Sequence, residues 1–145
     1  MFEMRKIPIL LSLMLALSIA IPQASIAVEK RNNPVLRVLV LDNRDSISLA
    51  AKGTYRVYSM PQDKLLTGGY ILHTKVRASG QGIMFGSREL KFSKIRVTVP
   101  DGALIYLDGR SFRGTVDIMK KDNMRLAVIN RISLEEYLYG VLYNE

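Results

Sequence analysis

The sequence contains no cysteine, and His73 is its only histidine. The absence of cysteine excludes disulfides, thiol nucleophiles and cysteine-ligated metal sites. A single histidine likewise excludes a catalytic histidine dyad and a metal centre built on several histidines. The fold must therefore be stabilised by its hydrophobic core, which a chain of 145 residues is long enough to form. We expect neither a cofactor nor a metal ion.

Helical periodicity is missing from most of the chain, and no internal repeat or low-complexity segment is present. From Val35 onward, apolar residues alternate with polar ones between closely spaced turn signals, a pattern typical of β-strands. Asp108-Gly109 is the strongest hairpin signal. The patterning predicts strands at 35–41, 46–50, 54–59, 68–78, 95–99, 103–107, 110–119 and 124–129, with a further short strand within 80–86.

Helical features begin only at Ser133. Ser133 and Glu136 have the spacing of a capping box, in which each side chain satisfies a backbone amide of the other residue. Apolar residues at Leu134, Leu138 and either Val141 or Leu142 then form one stripe. We predict a helix from Leu134 to about Tyr143, and Gly140 suggests a close backbone contact. The expected fold class is α+β and predominantly β: short antiparallel strands and hairpins, then a terminal helix, preceded by an N-terminal signal helix.

The first 27 residues have the features of an export signal. Arg5 and Lys6 precede an apolar run at 7–21, and Ser25 and Ala27 supply small residues at a cleavage site. We expect a signal peptide at 1–27, cleaved after Ala27, and a domain at 28–145. The run is short for a membrane span, which favours cleavage over the alternative, an uncleaved membrane anchor. Either outcome predicts an extracytoplasmic protein, whether secreted, periplasmic or associated with the cell wall.

The chain has a formal net charge of +8. A basic exported protein is suited to anionic surfaces such as cell-wall polymers, phospholipid head groups and acidic glycans. Nucleic acid is not an expected partner, because export removes the protein from it. The basic residues are dispersed singly along the chain, so we expect a solvated surface and not a dedicated basic patch.

Two stretches near the carboxyl end carry a resemblance to a known family. R-S-F-R-G-T-V-D-I at 110–118 and L-A-V-I-N-R-I-S-L-E-E-Y-L-Y-G-V-L-Y-N-E at 126–145 resemble the SpoIID/LytB domain family, which includes stage II sporulation protein D and the amidase enhancer LytB. The matching elements are Gly109 to Gly114, Asn130, Leu134 to Val141, and Glu145. The match is dense over about 35 residues, and the family pattern continues beyond Glu145.

The resemblance implies a protein that acts on peptidoglycan, either in sporulation or in ordinary wall turnover. Family enzymes resemble lytic transglycosylases, and their catalytic glutamic acid falls on Glu145. We expect this chain to be the amino-terminal part of such a domain, truncated at its C-terminal side and inactive alone. The expected partners are peptidoglycan glycan strands and a cell-wall amidase, with membrane contact only through an uncleaved N-terminal segment. The alternative is a non-catalytic wall-binding or amidase-enhancing module.

One glutamic acid is sufficient for the implied reaction, because the 6-hydroxyl of the sugar attacks its own anomeric carbon. The acid protonates the leaving oxygen and then accepts the hydroxyl proton, which requires a raised pKa. Tyr139 and Tyr143 are the candidate substrate-binding residues, whose rings suit pyranose faces, whereas packing is favoured for Tyr137.

Other polar residues have structural explanations. Glu135 and Glu136 fit the helix cap and dipole better than a catalytic pair. Arg110 and Arg113, on opposite faces of one predicted strand, cannot form one clamp. Asn130 is interpreted as a turn residue that satisfies loop amides.

Overall fold

The computed structural model describes residues 33–142. The predicted signal peptide at 1–27 lies outside the described residues. Within them the chain forms ten strands and one helix: β1 Val35–Arg44, β2 Ser46–Ser59, β3 Leu65–Ala78, β4 Ile83–Phe85, β5 Arg88–Leu90, β6 Lys94–Thr98, β7 Ile105–Leu107, β8 Arg110–Phe112, β9 Thr115–Lys120, β10 Leu126–Ser133 and α1 Leu134–Leu142. The prediction of a mostly antiparallel β domain ending in a short helix is confirmed.

The strands form one antiparallel sheet in the order β1-β10-β9-β6-β2-β3-β4-β5, and the β7–β8 hairpin branches from β2. Strand β2 organises this sheet. It pairs with β3 along its length, with β7 through 49–51 and with β6 through 56–59. The two strands predicted at 46–50 and 54–59 are therefore one strand of 14 residues. Gly53 has a φ of 90° at the register shift between Lys52 and Tyr55, so the chain bends there without ending the strand.

The core forms where the inward faces of the strands meet. Fully buried side chains alternate with more exposed ones in strands such as β2, where Ile47 and Leu49 are buried, and β6, where Ile95 and Val97 are buried. Burying each such side chain contributes about 1.5–3 kcal/mol to folding. These contributions stabilise a fold without disulfides, as the lack of cysteine requires.

The predicted Asp108-Gly109 hairpin is present. Ile105 pairs with Phe112 across it, and the two turn residues have φ values of 48° and 84°. Both positions have a positive φ, as a type I′ turn requires, and this conformation suits Asp-Gly. The strand predicted at 110–119, in contrast, is interrupted between β8 and β9. At the interruption, Gly114 has a φ of 79° and lies against the backbone of β10.

The branch from β2 brings the β7–β8 hairpin next to β1 and β10. Arg44 at the end of β1 contacts Asp108 at 2.7 Å, and the backbone N–H of Asp108 donates to the carbonyl of Ser48. Further along, the Asn130 side chain donates to the carbonyl of Arg113 at 3.0 Å. These contacts create a concave surface between the hairpin, β10 and α1. Among residues 33–142, no helix has the length and apolar character needed to cross a membrane.

Candidate functional site

An open groove of about 640 Å³ lies between the inward face of β1 and β10, the segment after β8, and α1. Its apolar walls come from all of these elements and from the loop before β7: Val38, Val40, Leu104, Phe112, Ile132 and Val141. Polar side chains line the same groove: Ser111, Arg113, Asn130, Glu136 and Tyr137. The site therefore combines apolar surface with a few polar groups, which is typical of small-molecule sites.

Asn130 lies in the groove lining and is only 4% exposed. The sequence interpretation of Asn130 as a turn residue is wrong, because it lies inside β10 opposite Val38 and Val116. Its Nδ2 donates to the carbonyl of Arg113, while its Oδ1 accepts no hydrogen bond within the described part of the chain. Asn130 thus holds the segment after β8 against β10. The buried Oδ1 without a hydrogen bond lowers the stability of the fold by about 1–3 kcal/mol.

The wall of the groove that α1 forms is held in place by contacts at the start of the helix. The backbone N–H of Glu136 donates to Ser133 Oγ at 3.2 Å, and the Ser133 hydroxyl donates to Glu136 Oε2 at 3.0 Å. The predicted cap is present, but Glu136 accepts the serine hydroxyl and not the serine backbone N–H. The N–H of Leu134 donates to the carbonyl of Pro34, which attaches the first turn to the beginning of β1.

Ser133→Ala is expected to lower the free energy of unfolding by about 1 kcal/mol, because the Glu136 amide loses its acceptor. A urea titration followed by far-UV circular dichroism measures this change. Ser111→Ala is the matched control, since Ser111 is exposed and surface substitutions change stability by about 0.5 kcal/mol or less. Equal stability of the two variants would contradict the assigned cap.

The structure places one of the two predicted substrate-binding residues outside the groove lining. Tyr139 is 56% exposed and is not among the residues that line the groove. Tyr143 and Glu145, the proposed catalytic acid, lie outside the described residues. Their roles remain predictions. Tyr137, for which packing was favoured, lines the groove and is 40% exposed.

Gly140 differs from its expectation. A close backbone contact was predicted, but a Cβ at this position would meet no atom within 4 Å outside the helix itself. Gly140 also lines the groove. Its missing side chain therefore leaves open space beside the site, at a cost in helix stability of up to about 1 kcal/mol relative to alanine.

The two arginines of the R-S-F-R motif have different environments. Arg110 lies in β8, whereas Arg113 follows the strand and lines the groove. This arrangement agrees with the expectation that the two arginines do not form one clamp. The single strand predicted at 110–119 is wrong, because β8 ends before Arg113. Gly114 was quoted only as part of the motif, but its positive φ and contact with β10 position Arg113. The groove walls at Val38, Val40 and Leu104 were not identified, because they lie in ordinary strand and loop sequence without a motif.

The chemistry available to the described residues is limited. Among residues 33–142, no cluster of three or more histidine, aspartate or glutamate side chains could hold a metal ion. Within the same range Glu136 contributes the only carboxylate of the groove lining, and it is bonded to Ser133. The described groove lining therefore contains no pair of carboxylates. The arrangement can bind a ligand through apolar contacts, a guanidinium, a hydroxyl and a carboxamide.

The fold and site together define an antiparallel β domain with a groove beside a capped helix. No family model and no solved structure matches the chain. An uncharacterized protein of Chlamydia pneumoniae is 30% identical over 112 residues, covering 75% of this chain and 40% of that protein. An uncharacterized protein of Chlamydia muridarum (strain MoPn / Nigg) is 27% identical over 112 residues, covering 77% and 39%. The chain thus spans about 40% of the length of these curated relatives.

Proposed function

We propose that the protein acts on peptidoglycan as a SpoIID/LytB-like domain protein, and that the complete protein is a lytic transglycosylase with Glu145 as its catalytic acid. One observation supports this most directly. The three described segments on which the resemblance depends are separated in sequence, but each contributes residues to the same groove: Ser111 to Arg113, then Asn130, then Glu136, Tyr137, Gly140 and Val141. Shared sequence motifs that converge on one concave surface are expected of a functional site.

The composition of the groove suits a glycan strand. Phe112 and Tyr137 offer ring surface against which the apolar face of a pyranose can pack, and Val141 extends it. Arg113 and Ser111 are exposed and able to bond hydroxyl, carbonyl or carboxylate oxygens of the saccharide. Amino sugars present an apolar ring face together with polar hydroxyl and amide groups, and a groove that was purely apolar or purely charged would match only one of the two.

The proposed chemistry needs only one acid beyond these residues. Helix α1 continues to Leu142, three positions before Glu145, and one face of the helix, from Glu136 to Gly140 and Val141, lines the groove. In the proposal, Glu145 protonates the glycosidic oxygen as the bond to the anomeric carbon breaks. It then accepts the proton of the 6-hydroxyl, which forms the anhydro ring. The groove residues orient the sugar and keep water from competing with the hydroxyl.

Digestion of purified sacculi tests the proposal. The protein expressed from its complete reading frame is incubated with sacculi, and the products are separated by liquid chromatography and mass spectrometry. We expect release of 1,6-anhydro-muropeptides by the wild type. Glu145→Gln is expected to release none above the blank while its circular dichroism spectrum stays unchanged, because the amide cannot protonate the leaving oxygen.

The controls separate catalysis from binding. Glu135→Gln removes an acid from the exposed side of the same helix, where Glu135 accepts a bond from Asn33, and should leave product release unchanged. Reducing-end products without the anhydro ring would indicate a hydrolase and contradict the transglycosylase assignment. No product from the folded wild type would overturn the enzymatic proposal.

A second candidate, a non-catalytic wall-binding or amidase-enhancing module, has its own support. The groove is formed within residues 33–142, although the only carboxylate of its lining there serves the helix cap. Binding can therefore occur without catalysis. Sedimentation with insoluble peptidoglycan distinguishes the two functions. The binding module predicts retention of both wild type and Glu145→Gln without anhydro products, together with a faster reaction of an added cell-wall amidase.

A further inference from the structure

Three arginines that are distant in sequence lie on one row across the outer face of the sheet. Arg37 of β1 pairs directly with Arg131 of β10, and Arg131 pairs with Thr115 of β9. Thr98 of β6 and Arg56 of β2 are also direct partners. We call these five residues the arginine–threonine strip.

The register makes the strip continuous. Val97 and Val116 are paired on β6 and β9, so their neighbours Thr98 and Thr115 are the next pair in that register. Directly opposed residues point to the same face of a sheet. The valines beside the strip, Val57, Val97 and Val116, are completely buried, so the strip faces outward. Because adjacent strands are about 4.8 Å apart, five strands span about 19 Å.

The arginines of the strip have no acidic partner among the described residues. Near the opposite end of β1 and β10, three cations are paired with acids: Arg44 with Asp108, Lys121 with Asp42, and Arg125 with Asp45. The acid closest to the strip along β9 is Asp117, which is 1% exposed and already bonded to Arg96. Neither Arg37, Arg56 nor Arg131 takes part in an ion pair in this part of the chain.

The direct pairing of Arg37 with Arg131 is unfavourable in the isolated domain. Like charges opposite each other on adjacent strands repel and destabilise the sheet. An oxyanion placed between two guanidiniums reverses the sign of this interaction, since each guanidinium donates charge-assisted hydrogen bonds. Thr115, Thr98 and Arg56 continue the strip across the next three strands, where the Thr98 hydroxyl donates to the backbone carbonyl of Arg56 at 3.5 Å and the Arg56 guanidinium is the next cationic donor.

We propose that the arginine–threonine strip is a binding site for a linear polyanion, which lies across the strands with its phosphate or carboxylate groups on Arg37 and Arg131 at one end and on Arg56 at the other. The site is on the face of the sheet opposite the groove, because Asn130 and Val38 line the groove while their neighbours Arg131 and Arg37 point outward. The proposal is independent of the glycan-cleaving function and needs no residue outside 33–142.

Binding of two probes, linear sodium polyphosphate and poly-L-glutamate, to the whole protein tests the site by isothermal titration calorimetry at several salt concentrations. The double variant Arg37→Gln/Arg131→Gln is expected to bind about tenfold more weakly than the wild type. The slope of the logarithm of the binding constant against the logarithm of the salt concentration should also become shallower, by roughly one for each arginine removed. The matched control is Lys121→Gln/Arg125→Gln, which removes the same net charge from paired positions.

The outcomes are distinct. Binding restricted to polyphosphate or to poly-L-glutamate supports the site and identifies its oxyanion. An equal loss of affinity in both double variants means that net charge alone drives binding and overturns the proposal, as does no binding of either probe by the folded wild type at low salt. The melting temperature of the single variant Arg131→Gln tests the repulsion between the two arginines. Because the variant removes this repulsion, its melting temperature should be unchanged or higher than that of the wild type. A lower melting temperature would contradict an uncompensated arginine pair.

Discussion

Asp117→Asn is expected to lower the free energy of unfolding by about 3 kcal/mol, because it removes one partner of a buried ion pair. Asp117 is 1% exposed in the middle of β9. Its Oδ1 accepts from Arg96 Nε at 2.7 Å and its Oδ2 from Arg96 Nη2 at 3.2 Å. Lys94 is a second cation at 3.6 Å. Asparagine keeps the shape of the side chain but leaves two cations without their shared carboxylate.

The two-point geometry makes this loss large. A planar guanidinium and a carboxylate match in a paired arrangement, and the hydrogen bond to Asp117 raises the pKa of Arg96. An arginine side chain keeps its charge in proteins whether or not a carboxylate is beside it, so Arg96 stays charged and mostly buried in the variant but has lost its buried carboxylate partner. Breaking a buried pair costs about 3–5 kcal/mol in other proteins, and the retained amide oxygen places asparagine at the lower end.

Asp63→Asn is the matched control for Asp117. Asp63 also contacts Arg96, at 3.7 Å, but its side chain is 67% exposed. Exposed pairs contribute about 1 kcal/mol or less, and asparagine tolerates the positive φ of 51° at this position. Urea titrations of both variants by circular dichroism measure the difference. An Asp117→Asn domain as stable as the Asp63→Asn domain would contradict a dominant role for the buried pair.

Gly114→Ala is expected to destabilise the domain by about 3 kcal/mol or more, through backbone strain and overpacking together. The φ of 79° disfavours any side chain, and a Cβ would be 2.2 Å from the carbonyl oxygen of Arg131. The obstacle is backbone, so no rotamer change relieves it. Either β10 or the segment after β8 must move.

Gly102→Ala isolates the two effects in Gly114→Ala. Gly102 has the same φ of 79°, yet a Cβ there would meet no atom within 4 Å. Its replacement should cost only the backbone strain, about 1–2 kcal/mol. The difference between the two variants measures the clash. If both alanine variants unfold at the same urea concentration, close packing of Gly114 on β10 is refuted.

The Gly114 variant also affects the groove. Moving the segment after β8 disturbs the bond from Asn130 to the Arg113 carbonyl and displaces Arg113 from the lining. On the proposed function, sacculus binding should therefore weaken in Gly114→Ala but not in Gly102→Ala, even at temperatures where both remain folded. Binding that is equal in the two variants would show that this part of the groove does not contact the wall.

Local sequence signals located several elements correctly. Asp108-Gly109 predicted the β7–β8 hairpin, because both residues adopt the positive φ that the tight turn requires. Ser133 and Glu136 predicted the start of α1, because the cap is formed by residues three positions apart. The break predicted between the strands at 46–50 and 54–59 was wrong, because Gly53 permits a bulge inside β2 and does not end the strand.

The sequence alone determined the β-rich class, the hairpin turn and the capped helix, since alternation, turn residues and caps act within a few positions of the chain. Only the tertiary structure decided which residues form the groove and the arginine–threonine strip. Arg37 and Arg131 are remote in sequence and looked like dispersed surface charges, yet strand register places them side by side. Register depends on long-range pairing and on burial of one face of each strand, and neither is encoded in a local pattern.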